Sequence, residues 1–152
     1  MPVRLLLIEN QKLVRLGIRS AVADGGDIDI VGEAGDLATG FELYRELQPD
    51  VVILGLRFPE GCSIDHLDKY LSGGSKARLI VLADHAGDAE ISRALKKGAL
   101  GYVCKDLDPA ELIKAIRAVA AGRRYLPPDI AVILSEHVGL EELTPQRLPC
   151  SA

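Results

Sequence analysis

The stretch Pro49-Asp50-Val51-Val52-Ile53-Leu54-Gly55-Leu56-Arg57-Phe58-Pro59 carries an uninterrupted apolar run between an acid and a glycine. A run of that length, bounded in that way, reads as a strand buried on both faces. Similar runs stand at residues 3–8, 29–33, 79–82 and 101–104, which with 51–54 makes five. Longer segments of helical period separate them. Leu13, Leu16, Gly17 and Val22 space a first helix; Phe41, Tyr44 and Leu47 a second; Ile64, Leu67 and Leu71 a third; Ile91, Ala94 and Leu95 a fourth. Each stripe is expected to face the sheet. The alternation predicts repeated βαβ units, hence a doubly wound α/β fold with a parallel five-stranded sheet.

The fifth helix announces itself most clearly. Asp108-Pro109-Ala110-Glu111 offers an N-cap acid, a proline at the first helical position and a glutamate at the capping-box position, with Leu112, Ile113, Ile116 and Val119 as the core face. Gly98, preceded by Lys96 and Lys97, is a left-handed C-cap candidate for the fourth helix. Gly25-Gly26 and Gly73-Gly74 read as turns closing helices.

The chain of 152 residues is long enough to fold around its own core without a staple. Cys62, Cys104 and Cys150 are odd in number and unclustered, and no charged-then-apolar leader opens the sequence, so the expected setting is a reducing cytoplasm. Every apolar stretch falls short of the roughly 20 residues that a membrane span needs. With 22 acids against 18 bases and a formal charge of -4, there is no overall drive toward a phosphate backbone, and nucleic-acid binding by this chain alone is not expected. His66, His85 and His137 lack ligand spacing, so no metal site is expected. Cys62 and Cys104 have no basic partner in view and read as inert thiols.

Taken in order, Arg4-Leu5-Leu6-Leu7-Ile8-Glu9-Asn10, Ile30-Val31-Gly32-Glu33-Ala34, the stretch around Gly55, Gly98-Ala99-Leu100-Gly101-Tyr102-Val103-Cys104-Lys105 and Ala115-Ile116-Arg117-Ala118-Val119-Ala120-Ala121-Gly122 resemble a response-regulator receiver domain, closest to regulators with a LuxR-type helix-turn-helix. The resemblance runs from Val3 to about Val138. It implies a flavodoxin-like (βα)5 sheet of order 2-1-3-4-5, with a reactive crevice at the carboxyl ends of the strands where the order reverses. It also implies a phosphoacceptor aspartate after the third strand, an acidic pair after the first, a hydroxyl after the fourth and a lysine after the fifth.

Against that pattern the chain offers Glu9 and Asn10 for the two acids, Gly55 for the acceptor, Ala83 for the hydroxyl residue, and Lys105 for the lysine. Gly55 brings no nucleophile. One remaining carboxylate cannot organise Mg²⁺ against its own hydration, so metal binding is expected to be weak or absent and no other cofactor is implied. Asp84 and Asp50 make poor stand-ins, the first lying one residue past its strand and the second at the opposite end of its strand. Lys105 is expected to pair with Glu9 across the space left by Gly55, in preference to binding an anion. Tyr102 occupies the switch-aromatic position; with no hydroxyl at 83 to follow, it is expected to be a static packed tyrosine.

The expected organisation is a receiver-like domain over 1–122 and a linker helix with a C-terminal tail over 123–152, without a DNA-binding domain in this chain. Residues 129–138 read as a helix whose apolar run includes Ile130, Ile133 and Leu134. More than one of its faces is apolar, which points to a homodimer, with Arg117 and its basic neighbours at the rim. The leading functional expectation is a non-enzymatic, phosphorylation-independent signalling module that pairs with itself or with a partner signalling protein. The alternative is a ligand-sensing receiver with a small molecule over Gly55 and Ala83; a regulator phosphorylated on an unforeseen acid and an independent hydrolase or transferase stand behind it.

Overall fold

The computed structural model describes residues 2–71, 78–84, 88–106 and 108–126. In chain order the elements are β1 (Val3–Ile8), α1 (Lys12–Ala23), β2 (Ile28–Ala34), α2 (Leu37–Leu47), β3 (Val51–Gly55), a small hairpin of β4 (Arg57–Phe58) and β5 (Gly61–Cys62), and a 3-10 turn (Ser63–His66) that leads into α3 (Leu67–Leu71). Then come β6 (Arg78–Ala83), α4 (Asp88–Lys97), β7 (Gly101–Cys104) and α5 (Pro109–Ala120). The main sheet runs β2-β1-β3-β6-β7 with every pairing parallel. This is the expected 2-1-3-4-5 order; the hairpin, which forms a separate two-stranded sheet, only changes the numbering.

Period-two alternation divides the strands between two cores. Leu6, Ile8, Val52, Leu54, Leu79, Val81 and Ala83 meet Leu37, Tyr44, Ile64, Leu67 and Ala94 on the face covered by α2, α3 and α4. Leu5, Leu7, Val51, Ile53, Ile80 and Leu82 meet Ile18, Ala21, Val22, Leu112, Ala115, Ile116 and Val119 on the face covered by α1 and α5. Each valine, leucine or isoleucine buried in this way contributes about 1.5–3 kcal/mol. At Gly40 of α2 an added Cβ would meet the Ile8 side chain at 2.7 Å, so the glycine lets helix and sheet approach closely.

Two expectations change. In α1 the stripe that faces the sheet is Val14, Ile18, Ala21 and Val22, whereas Leu13 and Leu16 are 81% and 50% exposed. The helix is rotated because the 14-18-21-22 set follows the 3.6-residue repeat and presents the larger continuous apolar surface. In α5 Asp108 is the N-cap and Pro109 opens the helix, but the cap has no side-chain hydrogen bond. Glu111 turns instead to the Tyr125 hydroxyl, which donates to Oε1 at 2.6 Å. Contacts with the sheet continue past Gly122. Tyr125 donates its N–H to Leu100 O (2.9 Å) and accepts from Tyr102 N–H (3.2 Å), adding a parallel bridge at the β7 edge, and Leu126 packs on the core.

Gly98 ends α4 at φ 116, in the positive region that favours glycine. The predicted helix over 129–138, with Ile130, Ile133 and Leu134, lies outside the described residues, as do Gly73-Gly74, His85, His137, Cys150 and the side chains of Leu71 and Ile91.

Candidate functional site

The carboxyl ends of β1, β3, β6 and β7 meet at the point where the strand order reverses, and they bring Glu9, Gly55, Ala83, Asp84 and Lys105 together. Glu9 is 1% exposed. Its Oε2 accepts from the Gln11 N–H at 2.8 Å and from Lys105 Nζ at 3.1 Å. Its Oε1 is buried and accepts no hydrogen bond from the described residues. That oxygen lies over Gly55, where a Cβ would stand 2.2 Å from it.

Lys105 serves three oxygens: besides Glu9 it reaches Asp84 Oδ1 at 3.0 Å and donates to Gln11 Oε1. Its backbone N–H donates to Ala83 O at 2.8 Å, which ties the loop after β7 to the end of β6. The Lys105 side chain is 18% exposed, so its pair with Glu9 is largely withdrawn from water. Such a pair differs from a surface salt bridge. Removing one partner strands a charge whose solvation the protein does not replace. Asp84, 52% exposed, adds a weaker outer contact.

Asn10 does not join the cluster. It is exposed and its Nδ2 donates to Gly35 O at 3.2 Å, turning toward the end of β2. Ala83 is fully buried and supplies no hydroxyl. Tyr102 is likewise fully buried and packs in the core beside α4. Asp50 lies at the far end of β3, where its Oδ2 accepts the Arg4 N–H at 2.9 Å. Arg117 is engaged within the chain: its guanidinium donates to Asp27 at 3.1 and 2.9 Å, with both side chains half exposed. Burial and the nearby Asp106 push the Cys104 thiol up from its ordinary pKa, away from thiolate character.

Two polar residues of the site carried no sequence signal strong enough to single them out. Gln11 brackets the Glu9–Lys105 pair with its backbone N–H and its side-chain oxygen. Its nearness to Glu9-Asn10 was the one available hint. Ser63 is fully buried and its Oγ donates to Gly55 O at 2.6 Å. It reaches β3 only because the β4–β5 hairpin folds the chain back, which no local pattern announces.

A groove of about 390 Å³ opens next to this cluster between α1 and α5. Leu13, Val14, Ile18, Leu82, Leu112 and Lys105 are among its walls, so Lys105 borders both the polar cluster and the apolar groove. Among the described residues, no group of histidine, cysteine and carboxylate side chains is placed to hold a metal ion, and no helix is long and apolar enough to cross a membrane.

A parallel sheet of this order, with its polar cluster at the reversal point, is the architecture of receiver domains. The chain belongs to the response regulator receiver domain family, which residues 5–117 match. It is 32% identical over 146 residues to the nitrate/nitrite response regulator NarL of Escherichia coli K12, covering 96% of this chain and 68% of NarL. It is 33% identical over 132 residues to the DNA-binding transcriptional activator DevR/DosR of Mycobacterium tuberculosis, covering 87% of this chain and 61% of that protein. Among solved structures, a LuxR-family two-component response regulator from Aurantimonas sp. SI85-9A1 superposes with a TM-score of 0.83 at 37% identity, over 91% of this chain and 99% of that one. The chain is therefore a NarL/LuxR-like receiver of two-component signalling and transcription regulation.

Proposed function

We propose that this receiver works without phosphorylation, as a cytoplasmic signalling and protein-interaction module. The observation that carries the reading is at β3: Gly55 ends the strand without a side chain, and the Glu9 carboxylate fills the place where one would begin. Phosphoryl transfer to a protein needs an exposed nucleophile and groups that neutralise charge on the transferring oxygens. Gly55 and Ala83 supply neither, and Lys105 is already shared among Glu9, Gln11 and Asp84.

The residues present do not fit a Mg²⁺ site. Glu9 has one oxygen bound to Lys105 and the Gln11 N–H and the other enclosed over Gly55, while Asn10 is turned to Gly35. An ion that demands near-octahedral oxygen ligands finds no second carboxylate beside Glu9 on β1 or β3. The ligand-sensing alternative needs space over Gly55 that the Glu9 carboxylate occupies. A small molecule reaching Lys105 would have to enter by the α1–α5 groove.

The expected outcome of treating the protein with acetyl phosphate and Mg²⁺ is an unchanged intact mass; a gain of one phosphoryl group would overturn the reading. Self-association belongs to the same proposal and rests on the apolar run that includes Ile130, Ile133 and Leu134, with Arg117 less available for a rim contact because Asp27 holds it. Light scattering should give a dimer for the full chain and a weaker dimer or monomer for a version ending at Leu126. A full chain that stays monomeric at high micromolar concentration would remove the dimer.

A further inference from the structure

We infer that Glu9 is the permanent occupant of the receiver pocket, and that position 55 is glycine because Glu9 is there. The inference rests on the phosphorylation-independent reading and names the residue that enforces it. Gly55 has no backbone need to be glycine, since its φ is not among the positive values that favour that residue. The obstacle to any other residue is a side chain. A Cβ at 55 would lie 2.2 Å from Glu9 Oε1 and 3.2 Å from Glu9 Cδ, while the nearest backbone atom, Ile8 O, is 3.4 Å away in ordinary contact.

The carboxylate cannot readily move aside. Its other oxygen is fixed by the Gln11 N–H and Lys105 Nζ, and the residue is 1% exposed, so retreat would break two charge-assisted hydrogen bonds inside the protein. A glutamate at position 9 extends one methylene farther than an aspartate would, and that reach carries the carboxyl group from the end of β1 over the end of β3. The crevice thus retains a carboxylate paired with Lys105, but one supplied by the neighbouring strand and closed off from solvent.

A double-mutant cycle tests this coupling. Gly55→Ala in the full chain should lower Tm by roughly 5 °C, as expected for an atom forced into filled space in a domain of this size. In a Glu9→Ala background the same change should move Tm by less than about 1 °C. Glu9→Gln, which keeps the shape and loses the charge, should leave position 55 as intolerant of alanine as the parent does. If Gly55→Ala does not fold, recovery of a cooperative transition in Glu9→Ala/Gly55→Ala supports the inference; failure of both, or additive shifts across the cycle, overturns it. A phosphoryl mass gain in the parent chain with the coupling intact would sink the phosphorylation-independent reading alone. Additivity with no mass gain would sink the occupancy alone.

Discussion

Two regions that share Lys105 have opposite characters. In the crevice over β3 a carboxylate is buried and paired with Lys105 through one oxygen, while its other oxygen is enclosed over Gly55. Across Lys105, the groove between α1 and α5 is apolar and open, and Leu13 on its α1 wall lies in water. The crevice has become part of the core, while the groove remains surface. The two regions meet at Lys105 and the ends of β6 and β7, and they differ because Glu9 from the end of β1 covers one while the apolar faces of α1 and α5 flank the other.

The largest effect should come from emptying the crevice of its cation. Lys105→Met leaves the Glu9 carboxylate buried without a counter-charge and should lower unfolding stability by about 3 kcal/mol, measured by urea denaturation. A loss below about 0.5 kcal/mol would mean that the Glu9 carboxylate is reached by water, and would erase the contrast between the regions. Glu9→Gln should cost less, about 1–2 kcal/mol, since it keeps the hydrogen-bond acceptor and releases Lys105 to Asp84 and solvent.

On the groove side the expectation reverses. Leu13→Ser should change stability by no more than about 0.5 kcal/mol, as surface substitutions do. A loss of about 2 kcal/mol or more would show that this leucine is packed in solution and that the groove is closed.

The smallest effect concerns the far end of the same pair of helices, where Arg117 on α5 grips Asp27 after α1. The guanidinium holds the Asp27 carboxyl below its ordinary value of 3.8. A depressed native pKa means that the unfolded state takes up the proton first as pH falls. The resulting stability is full above about pH 4 and fades as the pH drops through the lower native value. Asp27→Asn should flatten the acid limb of a stability–pH curve below about pH 4 and leave neutral pH nearly unchanged; an identical acid limb would show that the pair is inert.

Much of this was legible along the chain. Five apolar runs separated by helical periods were enough for a parallel α/β sheet, because strands buried on both faces must be apolar along their whole length. The resemblance to receiver domains placed Glu9, Gly55, Ala83 and Lys105 together at the strand ends and implied the Glu9–Lys105 pair, which the structure has at 3.1 Å. The phase of α1 is not legible from its most hydrophobic residues: Leu13 and Leu16 face outward, and the helix packs through Val14, Ile18, Ala21 and Val22. The capping box at Glu111 failed because Tyr125, fourteen residues downstream, competes for the same carboxylate.

The sequence by itself determined the order of the elements, the two-sided core and the absence of a side chain at position 55, since each is a property of residue type and local period. Only the tertiary structure decided what occupies the place of that missing side chain. Glu9 and Gly55 lie on adjacent strands whose register sets Ile8 beside Leu54. Which neighbour reaches into the space depends on side-chain length, on the anchoring of one carboxylate oxygen by Gln11 and Lys105, and on the exclusion of water around the other. Those are relations across strands, and no window along the chain contains them.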